Sequence, residues 1–325
     1  MTVRALIVTN MWPTAADPAF GVFVREQVEA VRSAGARCDV RFVNGRAGRR
    51  AYAAAVPSLR RELARGGYDV VHAHHALSGL ATWLAARSCR AAPPWLLTHH
   101  GIEVFDGWQA PLARWLTPRA DWALVVSPAM ARRLDLTADH VMPMGVDLTA
   151  FRPGDRAAAR ARLGLPPGGA LIAWVGADRP EKRLWLARQA VARLRETLPE
   201  AELLVVSGLE HAAVALWLTA ADALLLTSAR EGAPVVVKEA LACDRPVVST
   251  DVGDVRQLVA PVAGCAVVAA TPEALADGLR RALQHGPVQG RAAVAAYDVR
   301  LLARRLMRLY ERLARESAGI AGRTA

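Results

Sequence analysis

Short apolar runs alternate along this chain with segments whose apolar residues recur at helical spacing. Eleven runs have strand character: 4–9, 38–43, 69–74, 95–100, 122–127 and 140–144, then 170–176, 202–208, 223–228, 246–250 and 266–270. Amphipathic helical segments lie between them, for example at 21–34, 76–88, 182–197 and 272–284. Strands that alternate with helices predict parallel sheets covered by helices on both faces.

The alternation stops and restarts at a stretch with proline and glycine, "GVDLTAFRPG", at 145–154. Two series predict an α/β chain with two Rossmann-like domains, which we place at 1–147 and 148–295. Ligands of such domains bind outside the carboxyl ends of the strands, here in the predicted cleft between the domains. The tail "RAAVAAYDVRLLARRLMRLYERLARES" has the pattern of one long helix.

Charge and cysteine usage limit the class of protein. The net charge is +11, and 39 of the 41 basic residues are arginines, the exceptions being Lys182 and Lys238. Such a surface attracts phosphorylated molecules or anionic lipid, and no motif or long basic block favours nucleic acid. The cysteines are far apart and form no CxxC pair, which predicts reduced thiols in a cytoplasmic protein. The apolar run at the start is too short for a signal peptide or a membrane span.

The segment "EGAPVVVKE" carries a glutamate at each end, Glu231 and Glu239. The valines at 235–237 favour a strand, but the need for a parallel crossover favours a helix that begins near Pro234. The amino end of that helix could bind a pyrophosphate. The two carboxylates would accept hydrogen bonds from sugar hydroxyls at the two ends of a nucleotide sugar. In the alternative interpretation, Glu231 is a surface loop acid and Glu239 a solvated helix residue.

The segment "SAREGAPVVVKEALACDRPVVSTDVGDV" resembles the Glu-x7-Glu region of the group 1 (family 4) retaining glycosyltransferases. Further resemblances, in the family's order, are "PAFGVFVREQVEAV", "YDVVHAHHALSG", "LLTHHGIEV", "ADWALVVSPAM", "MPMGVDLTAFRP" and "VGADRPEKRLWLA". The resemblance covers roughly residues 3 to 315. It implies the GT-B fold, with the acceptor mainly on the N-terminal domain, the donor mainly on the C-terminal one, and a last helix, 296–325, crossing back.

Five donor-binding residues follow from the resemblance. It implies that Glu231 contacts the hydroxyls of the donor sugar, that Glu239 contacts the ribose, and that Lys182 binds the pyrophosphate. Gly232 and Ala233 would offer backbone N–H groups. Glu231 would position the sugar rather than form a covalent bond to it, while a donor phosphate oxygen takes the acceptor proton.

Two departures from the family pattern lie close to Lys182. The arginine that the family has after the first glycine is Ala177 here, and the glycine after the lysine is Arg183. Arg179 is our candidate for the missing cation. The resemblance also implies that Gly21 lets the first helix approach the phosphates, and that His100 lies close to the reacting carbon.

Other cofactor-dependent classes find less support. The first strand-to-helix turn has no GxGxxG for a dinucleotide, and a P-loop is also missing. The chain contains no Asp-x-Asp pair, so we expect cations and backbone groups, without a metal or another cofactor, to stabilise the leaving diphosphate. The histidines at 72–75 and 99–100 could converge on zinc, but packing and hydrogen bonding are the favoured roles of His72 and His74.

The segment "FDGWQAPLARWLTPR" predicts an amphipathic helix at 105–119. Its aromatic, leucine and arginine side chains suit either a membrane interface or a face that packs on the core: Phe105, Trp108, Leu112, Trp115 and Leu116, with Arg114 and Arg119. Of these two interpretations, the membrane interface is the functional one, and it predicts a peripheral contact with the inner face of an anionic membrane.

The sequence therefore predicts a cytoplasmic, metal-independent retaining hexosyltransferase that uses a UDP- or GDP-linked sugar and a glycan or lipid-linked acceptor. Enzymes of capsular or teichuronic-acid-type envelope glycans are the nearest resemblance. A nucleotide-sugar epimerase of the same fold and a non-catalytic nucleotide-sugar-binding protein are the alternatives.

Overall fold

The computed structural model describes residues 2–101, 103–105 and 107–324. The chain forms two compact units. The first contains residues 1–14, 20–144 and 299–325, and the second contains residues 15–19 and 145–298. Unit 1 is thus discontinuous in sequence, because its last helix follows the whole of unit 2.

Ten strands of the described chain form two sheets, five in each unit. In chain order they are β1 (Arg4–Thr9), β2 (Arg37–Phe42), β3 (Val70–His74), β4 (Trp95–His99), β5 (Trp122–Val125), β6 (Leu171–Val175), β7 (Glu202–Val206), β8 (Ala223–Leu226), β9 (Val247–Ser249) and β10 (Ala266–Val267). All pairings between them are parallel. The predicted α/β architecture with two parallel sheets is confirmed.

Thirteen α-helices accompany the strands in the described residues. They are α1 (Val22–Ser33), α2 (Arg50–Ala64), α3 (Ala76–Ala86), α4 (Gln109–Leu116), α5 (Pro128–Arg133), α6 (Arg156–Leu163), α7 (Leu184–Leu194), α8 (His211–Ala220), α9 (Val235–Ala242), α10 (Val255–Val259), α11 (Pro272–His285), α12 (Gly290–Ala293) and α13 (Val299–Thr324). None of these helices has both the length and the apolar character needed to cross a bilayer.

Local sequence signals explain several helix ends. Helix α11 begins with Pro272 after Thr271, whose side chain accepts a hydrogen bond from Ala274 N. Asp155 caps α6 in the same way, and Gly164 ends that helix in the left-handed conformation, with φ of 66°. Capping side chains satisfy amide groups that the helix itself leaves unpaired. These residues therefore set where the helices that connect successive strands begin and end.

The two sheets have the same topology. Their strand orders are β2-β1-β3-β4-β5 and β10-β9-β8-β6-β7. In each sheet, the direction in which successive strands are added therefore reverses between the first and the third strand of that unit along the chain. In unit 1 this switch lies between β1 and β3, and in unit 2 between β6 and β8. Ligands of open parallel sheets bind at the carboxyl edge beside such a switch.

Each sheet is buried on both faces. In unit 1 one apolar cluster joins the sheet to α1 and α13, with Val28, Leu306 and Tyr310 among its members, and a second cluster joins it to α2 and α3. Unit 2 has the corresponding pair of clusters. Strands covered on both faces are continuously apolar, which is why β3 and β4 are buried at every residue.

Two predicted elements differ from the structure. The run at 140–144 is not a full strand, because only Val141 pairs, through a single bridge to Val125. The tail is not one helix, because a 3-10 turn at Ala295–Tyr297 interrupts it before α13. There Val146 N donates to Tyr297 O, at 2.9 Å, and a backbone committed to that long-range pairing cannot continue a helix.

Candidate functional site

Lys182 and Glu231 lie at the strand-order switch of unit 2. Lys182 ends a 3-10 turn, Pro180–Lys182, that follows β6, and Glu231 lies in the loop between β8 and α9. Strands β6 and β8 are neighbours in the sheet. Because parallel neighbours end at the same edge, the two side chains meet although they are 49 positions apart in the sequence.

The two side chains form an ion pair. Lys182 Nζ lies 2.6 Å from Glu231 Oε1, and each side chain is 15% exposed. Ser228 Oγ donates to the same carboxylate oxygen at 2.7 Å. The pair therefore presents a lysine and an oriented carboxylate together at the edge where a ligand is expected.

Arg183 joins the two loops that carry this pair. Its guanidinium donates to Thr227 O at 2.6 Å and to Ser228 O at 2.7 Å. Its backbone has φ of 50°, a left-handed conformation that glycine adopts more readily. Thr227 Oγ1 in turn donates to Lys182 O, at 2.8 Å. The residue that departs from the family's glycine thus keeps a glycine-like backbone and uses its side chain to fix the β8–α9 loop.

Helix α9 follows this loop with Pro234 at its N-cap, as the sequence predicts. Within the described residues, the amide groups of Gly232 and Ala233 donate no hydrogen bond. A neighbouring glycine shapes the same loop: a Cβ at Gly253, where φ is +56°, would lie 2.9 Å from Gly232 O. The loop therefore holds two unused donors beside the start of a helix.

Glu239 lies inside unit 2. It is 4% exposed, and its Oε1 atom lies 2.6 Å from His211 Nε2. The ring of Phe151 packs on His211, with ring centroids 5.1 Å apart. The interpretation of Glu239 as a solvated helix residue is therefore wrong, since a buried carboxylate with a histidine partner is a positioned group.

Arg179 is the N-cap residue of the 3-10 turn that ends at Lys182. Its side chain is 51% exposed and forms an ion pair with Glu181 at 3.3 Å. No hydrogen bond or ion pair joins it to Glu231 in the part of the chain that the structure describes. The replacement of the missing arginine by Arg179 stays a prediction.

Lys238 is fully buried, although its side chain is ionisable. Its Nζ atom lies 3.6 Å from Asp254 Oδ2 and 5.2 Å from the centroid of the Tyr297 ring. Burial lowers the pKa of Lys238 and raises that of Asp254, while each charge favours ionisation of the other. Asp254 directly follows Gly253, so this ion pair ties α9 to the loop that packs on Gly232.

Gly21 lies at the carboxyl edge of the sheet in unit 1. It is the residue before α1 and has φ of 73°. A Cβ at this position would lie 2.2 Å from the carbonyl carbon of Met11 and 2.4 Å from Trp12 N. Only glycine allows this approach of α1 to the loop after β1, and the start of α1 consequently lies beside the β1–β3 switch.

His100 follows β4 at the same edge and contacts His74. His74 Nδ1 and His100 Nε2 are 2.9 Å apart, and the rings are stacked. His72 lies beside His74 and is bonded through Nδ1 to Tyr310 and through Nε2 to Thr98. Burial lowers the pKa of His72 to about 3, and burial together with His74 lowers the pKa of His100. All three rings are therefore neutral near pH 7, and the roles predicted for His72 and His74 fit these contacts.

Glu103 is a buried carboxylate beside the same histidines. Its Oε1 atom accepts a hydrogen bond from His100 N at 2.7 Å and lies 4.0 Å from His99 Nδ1. Burial alone would raise its pKa, but His75, His99 and the His100 amide together hold the pKa of Glu103 below its ordinary value. The ionised carboxylate of Glu103 therefore fixes the backbone at His100.

No group of three or more histidine, cysteine, aspartate or glutamate side chains that could hold a metal ion occurs among the described residues. In particular, His72 uses both ring nitrogens in hydrogen bonds to Tyr310 and Thr98.

The predicted amphipathic helix at 105–119 is shorter in the structure, where α4 begins after Trp108. Leu116 is buried in the core of unit 1, whereas Trp108 and Trp115 are 56% and 40% exposed. Leu116 thus packs inward, as the core interpretation predicts, while the tryptophans face solvent, and the membrane interface stays a prediction.

Exposed arginines accompany these tryptophans. The guanidinium of Arg119 lies 3.8 Å from the centroid of the Trp115 ring, and that of Arg49 lies 5.0 Å from Trp108. Trp115 also contacts Trp83 edge to face. We call the side chains of Trp108, Arg114, Trp115 and Arg119 the tryptophan–arginine surface.

Four site residues were not identified from the sequence. They are Arg183, Ser228, His211 and Glu103. Arg183 and His211 act on partners 44 and 28 residues away along the chain, so local spacing carries no signal for them. A local signal existed for Ser228 and Glu103, which lie three residues from Glu231 and from His100, respectively.

Comparison with known proteins finds relatives for both units. A model of glycosyltransferase family 4 matches residues 7–150. A model of group 1 glycosyl transferases matches residues 208–285. The second match contains Glu231 and Glu239, and the first contains Gly21 and His100.

Curated relatives have a consistent name. A D-inositol 3-phosphate glycosyltransferase of Mycolicibacterium gilvum (strain PYR-GCK) is 31% identical over 281 residues, which cover 70% of this chain and 62% of the relative. The protein of the same name from Mycobacterium leprae (strain Br4923) is 34% identical over 253 residues, covering 62% of this chain and 57% of the relative. The chain thus matches less than two thirds of the length of these relatives.

Solved structures agree in fold. Sucrose-phosphate synthase from Thermosynechococcus elongatus has a TM-score of 0.78 at 21% identity, covering 96% of this chain and 99% of that one. Anabaena HepE in complex with UDP-glucose has a TM-score of 0.64 at 16% identity, covering 99% of this chain and 100% of that one. Together with the two parallel sheets, these likenesses confirm the predicted GT-B fold.

Proposed function

We propose that this chain is a family 4 glycosyltransferase that transfers a hexose from a nucleotide-sugar donor to a glycan or lipid-linked acceptor, with retention of configuration, and the matches to models of glycosyltransferase family 4 and of group 1 glycosyl transferases support this proposal. The observation that carries the proposal is the Lys182–Glu231 pair at the β6–β8 switch, directly before α9. A lysine that binds phosphate, in contact with a carboxylate that binds hydroxyls, suits a ligand that carries a phosphate and a hydroxyl on adjacent atoms.

In this proposal the donor diphosphate lies at the start of α9. Lys182 and the amides of Gly232 and Ala233 would bind its oxygens, and these groups stabilise the negative charge that develops as the bond to the anomeric carbon breaks. Glu231 would leave its ion pair with Lys182 in part to accept hydrogen bonds from the sugar. Cations and backbone donors supply this stabilisation in the proposed mechanism, which uses no metal or other cofactor.

The opposite end of the donor would reach Glu239. With Oε1 bound to His211, the second carboxylate oxygen would accept a hydrogen bond from a ribose hydroxyl. Arg179 stays the candidate for a second cation near the phosphates. The sequence resemblance also assigns donor contacts to Gly21, by a close backbone approach, and to His100, by a neutral imidazole whose Nδ1 atom has no partner within the described residues.

The donor class has specific support. The structures of HepE with UDP, with UDP and glucose, and with UDP-glucose make UDP-linked sugars the first donors to test, followed by GDP-linked ones. The acceptor is less defined. The name of the curated relatives favours a phosphorylated polyol as a second acceptor candidate, beside the envelope-glycan acceptors that the sequence resemblance favours.

A donor screen tests this proposal. We expect one nucleotide class to raise the melting temperature, because a ligand at about 100 times its Kd stabilises the folded state by about 2.7 kcal/mol. Product analysis with acceptors then separates the alternatives. Transfer only in the presence of an acceptor supports the transferase; conversion of the donor sugar without acceptor indicates an epimerase, and binding without turnover a non-catalytic protein.

A peripheral membrane contact through the tryptophan–arginine surface is the second part of the proposal. Half-exposed tryptophans beside arginines suit the headgroup region of an anionic bilayer. This contact would place the chain on the inner face of the membrane, in the cytoplasm, where a lipid-linked acceptor could reach it.

We expect Trp108→Ser/Trp115→Ser to bind phosphatidylglycerol vesicles at least tenfold more weakly in flotation assays. The two rings expose roughly 200 Å² of apolar surface, worth up to about 5 kcal/mol at 25 cal/mol per Å². Trp185→Ser is the matched control, since Trp185 is 55% exposed in unit 2. Equal flotation of both variants and the original chain would argue against this surface.

A further inference from the structure

A cavity of about 500 Å³ lies in unit 1 where α13 passes the start of β5. Its wall contains four arginines of one helix and two residues from near β5: Arg305, Arg308, Arg312, Arg315, Trp122 and Asp139. Trp122 is the first residue of β5, so the cavity lies at the amino edge of the sheet. Gly21 and His100 lie at the carboxyl edge, and the cavity is therefore separate from the candidate site of this unit.

The arginines form a single stripe. Their spacings of three, four and three residues place them on one face of α13, while leucines such as Leu306 and Leu313 on the adjacent face are buried in the core of unit 1. Like charges at these spacings repel each other by a few tenths of a kcal/mol per pair. A stripe of four positive charges is thus unfavourable unless something else in contact with it is negative.

The cavity wall itself supplies little of that negative charge, although Glu311 and Glu316 follow Arg308 and Arg312 on α13 at spacings of three and four residues. In the described chain, Arg308, Arg312 and Arg315 form no ion pair, and Asp139 is the one acidic residue of the cavity wall. Arg305 donates to the backbone oxygen of Asp139, at 3.4 Å. The wall therefore carries a net positive charge, with several guanidinium donors unused.

Trp122 provides an independent indication of a missing acceptor. Its ring is stacked on His140, at 4.3 Å, and the guanidinium of Arg312 lies 4.2 Å from its centroid. Its indole nitrogen, Nε1, is buried and has no hydrogen-bond partner within the described residues. A buried N–H group without an acceptor costs about 1–3 kcal/mol.

We propose that this cavity binds a phosphate-bearing ligand. Guanidinium groups bind phosphate oxygens in pairs and in a defined plane, and arginine is the residue best suited to this geometry. The floor of the cavity is apolar, formed by Trp122, Leu124 and Leu309, and it accommodates a nonpolar or flat part of the ligand next to the phosphate. Both a soluble phosphorylated molecule and the headgroup of an anionic phospholipid have this chemistry.

The test uses the full chain labelled with 5-fluorotryptophan. The ¹⁹F resonance of Trp122 is assigned by its loss in Trp122→Phe, which separates this cavity from any other phosphate site. Inorganic pyrophosphate, phosphatidylglycerol vesicles and phosphatidylcholine vesicles are added at equal ionic strength. We expect pyrophosphate or phosphatidylglycerol to shift the Trp122 resonance and phosphatidylcholine to leave it unchanged.

Charge-removal variants complete the experiment. Arg308→Gln/Arg312→Gln should raise the ligand concentration needed for the shift at least tenfold. Arg132→Gln/Arg304→Gln removes two exposed arginines outside the cavity and should leave that concentration unchanged. A shift with pyrophosphate assigns a soluble ligand, and one with phosphatidylglycerol alone assigns a lipid headgroup. No shift with either probe, or an equal shift in the Arg308/Arg312 variant, overturns the proposal. Both double variants change exposed side chains, so circular dichroism should show the original fold.

Discussion

Glu231→Gln is expected to lower kcat/KM for sugar transfer by about 10²–10³-fold. Glu231 is bonded to Lys182 at 2.6 Å and to Ser228 at 2.7 Å, so its carboxylate is held in one orientation. Glutamine keeps the shape but loses the charge, and both the sugar hydroxyls and the Lys182 ammonium lose a charge-assisted hydrogen bond. Losses of about 2.7–4 kcal/mol are typical when one preorganised group of this kind is removed.

Initial rates over a range of donor concentrations measure this effect. Glu196→Gln is the matched control, because Glu196 is an exposed glutamate of unit 2 whose pairing with Arg193 lies on the surface. Its kcat/KM should stay within twofold of the original chain. A Glu231→Gln enzyme with full activity and unchanged melting temperature would place the donor sugar elsewhere.

Lys238→Met is expected to destabilise unit 2 by about 3–5 kcal/mol. The change leaves Asp254, whose side chain is 6% exposed, without the cation that lies 3.6 Å away. Removal of one member of a buried ion pair has a cost of this size, because the remaining charge stays desolvated. Urea unfolding followed by circular dichroism measures the loss.

The double variant Lys238→Met/Asp254→Leu distinguishes the ion pair from simple packing. Replacement of both charges by apolar side chains is often neutral or stabilising, so the double variant should recover most of the lost stability. If the double variant is as unstable as Lys238→Met, the ion pair is not the cause. Because Asp254 adjoins Gly253, a weaker binding of the donor in the recovered variant would show that the pair also positions the Gly232 loop.

The fold could be predicted from the sequence because its signals are local and repeated. Ten of the eleven predicted strands form. Buried parallel strands require unbroken apolar runs, so each such run marks in the sequence where a strand lies. The run at 140–144 fails because it has only a single bridge partner, Val125. Pairing partners are not encoded in a run's own composition.

The candidate site could be predicted only in part, for the same reason. Lys182, Glu231, Gly232 and Glu239 were found because they form spaced patterns along the chain. Arg183 appeared as a departure from a pattern, and its function depends on carbonyl groups 44 and 45 residues away. A long-range hydrogen bond from an arginine to a backbone oxygen leaves no trace in local sequence.

The discontinuity of unit 1 has a consequence for biosynthesis. Leu306, Tyr310 and Leu313 of α13 belong to the same apolar cluster as Val28 and Leu96, yet the ribosome adds them after all of residues 145–298. During translation the face of the unit 1 sheet that α1 and α13 share is therefore covered by α1 alone, while unit 2 already contains nearly all of its own sequence. Nascent chains arrested just before α13 should accordingly bind chaperones through the first half, and nascent chains extended past it should release them.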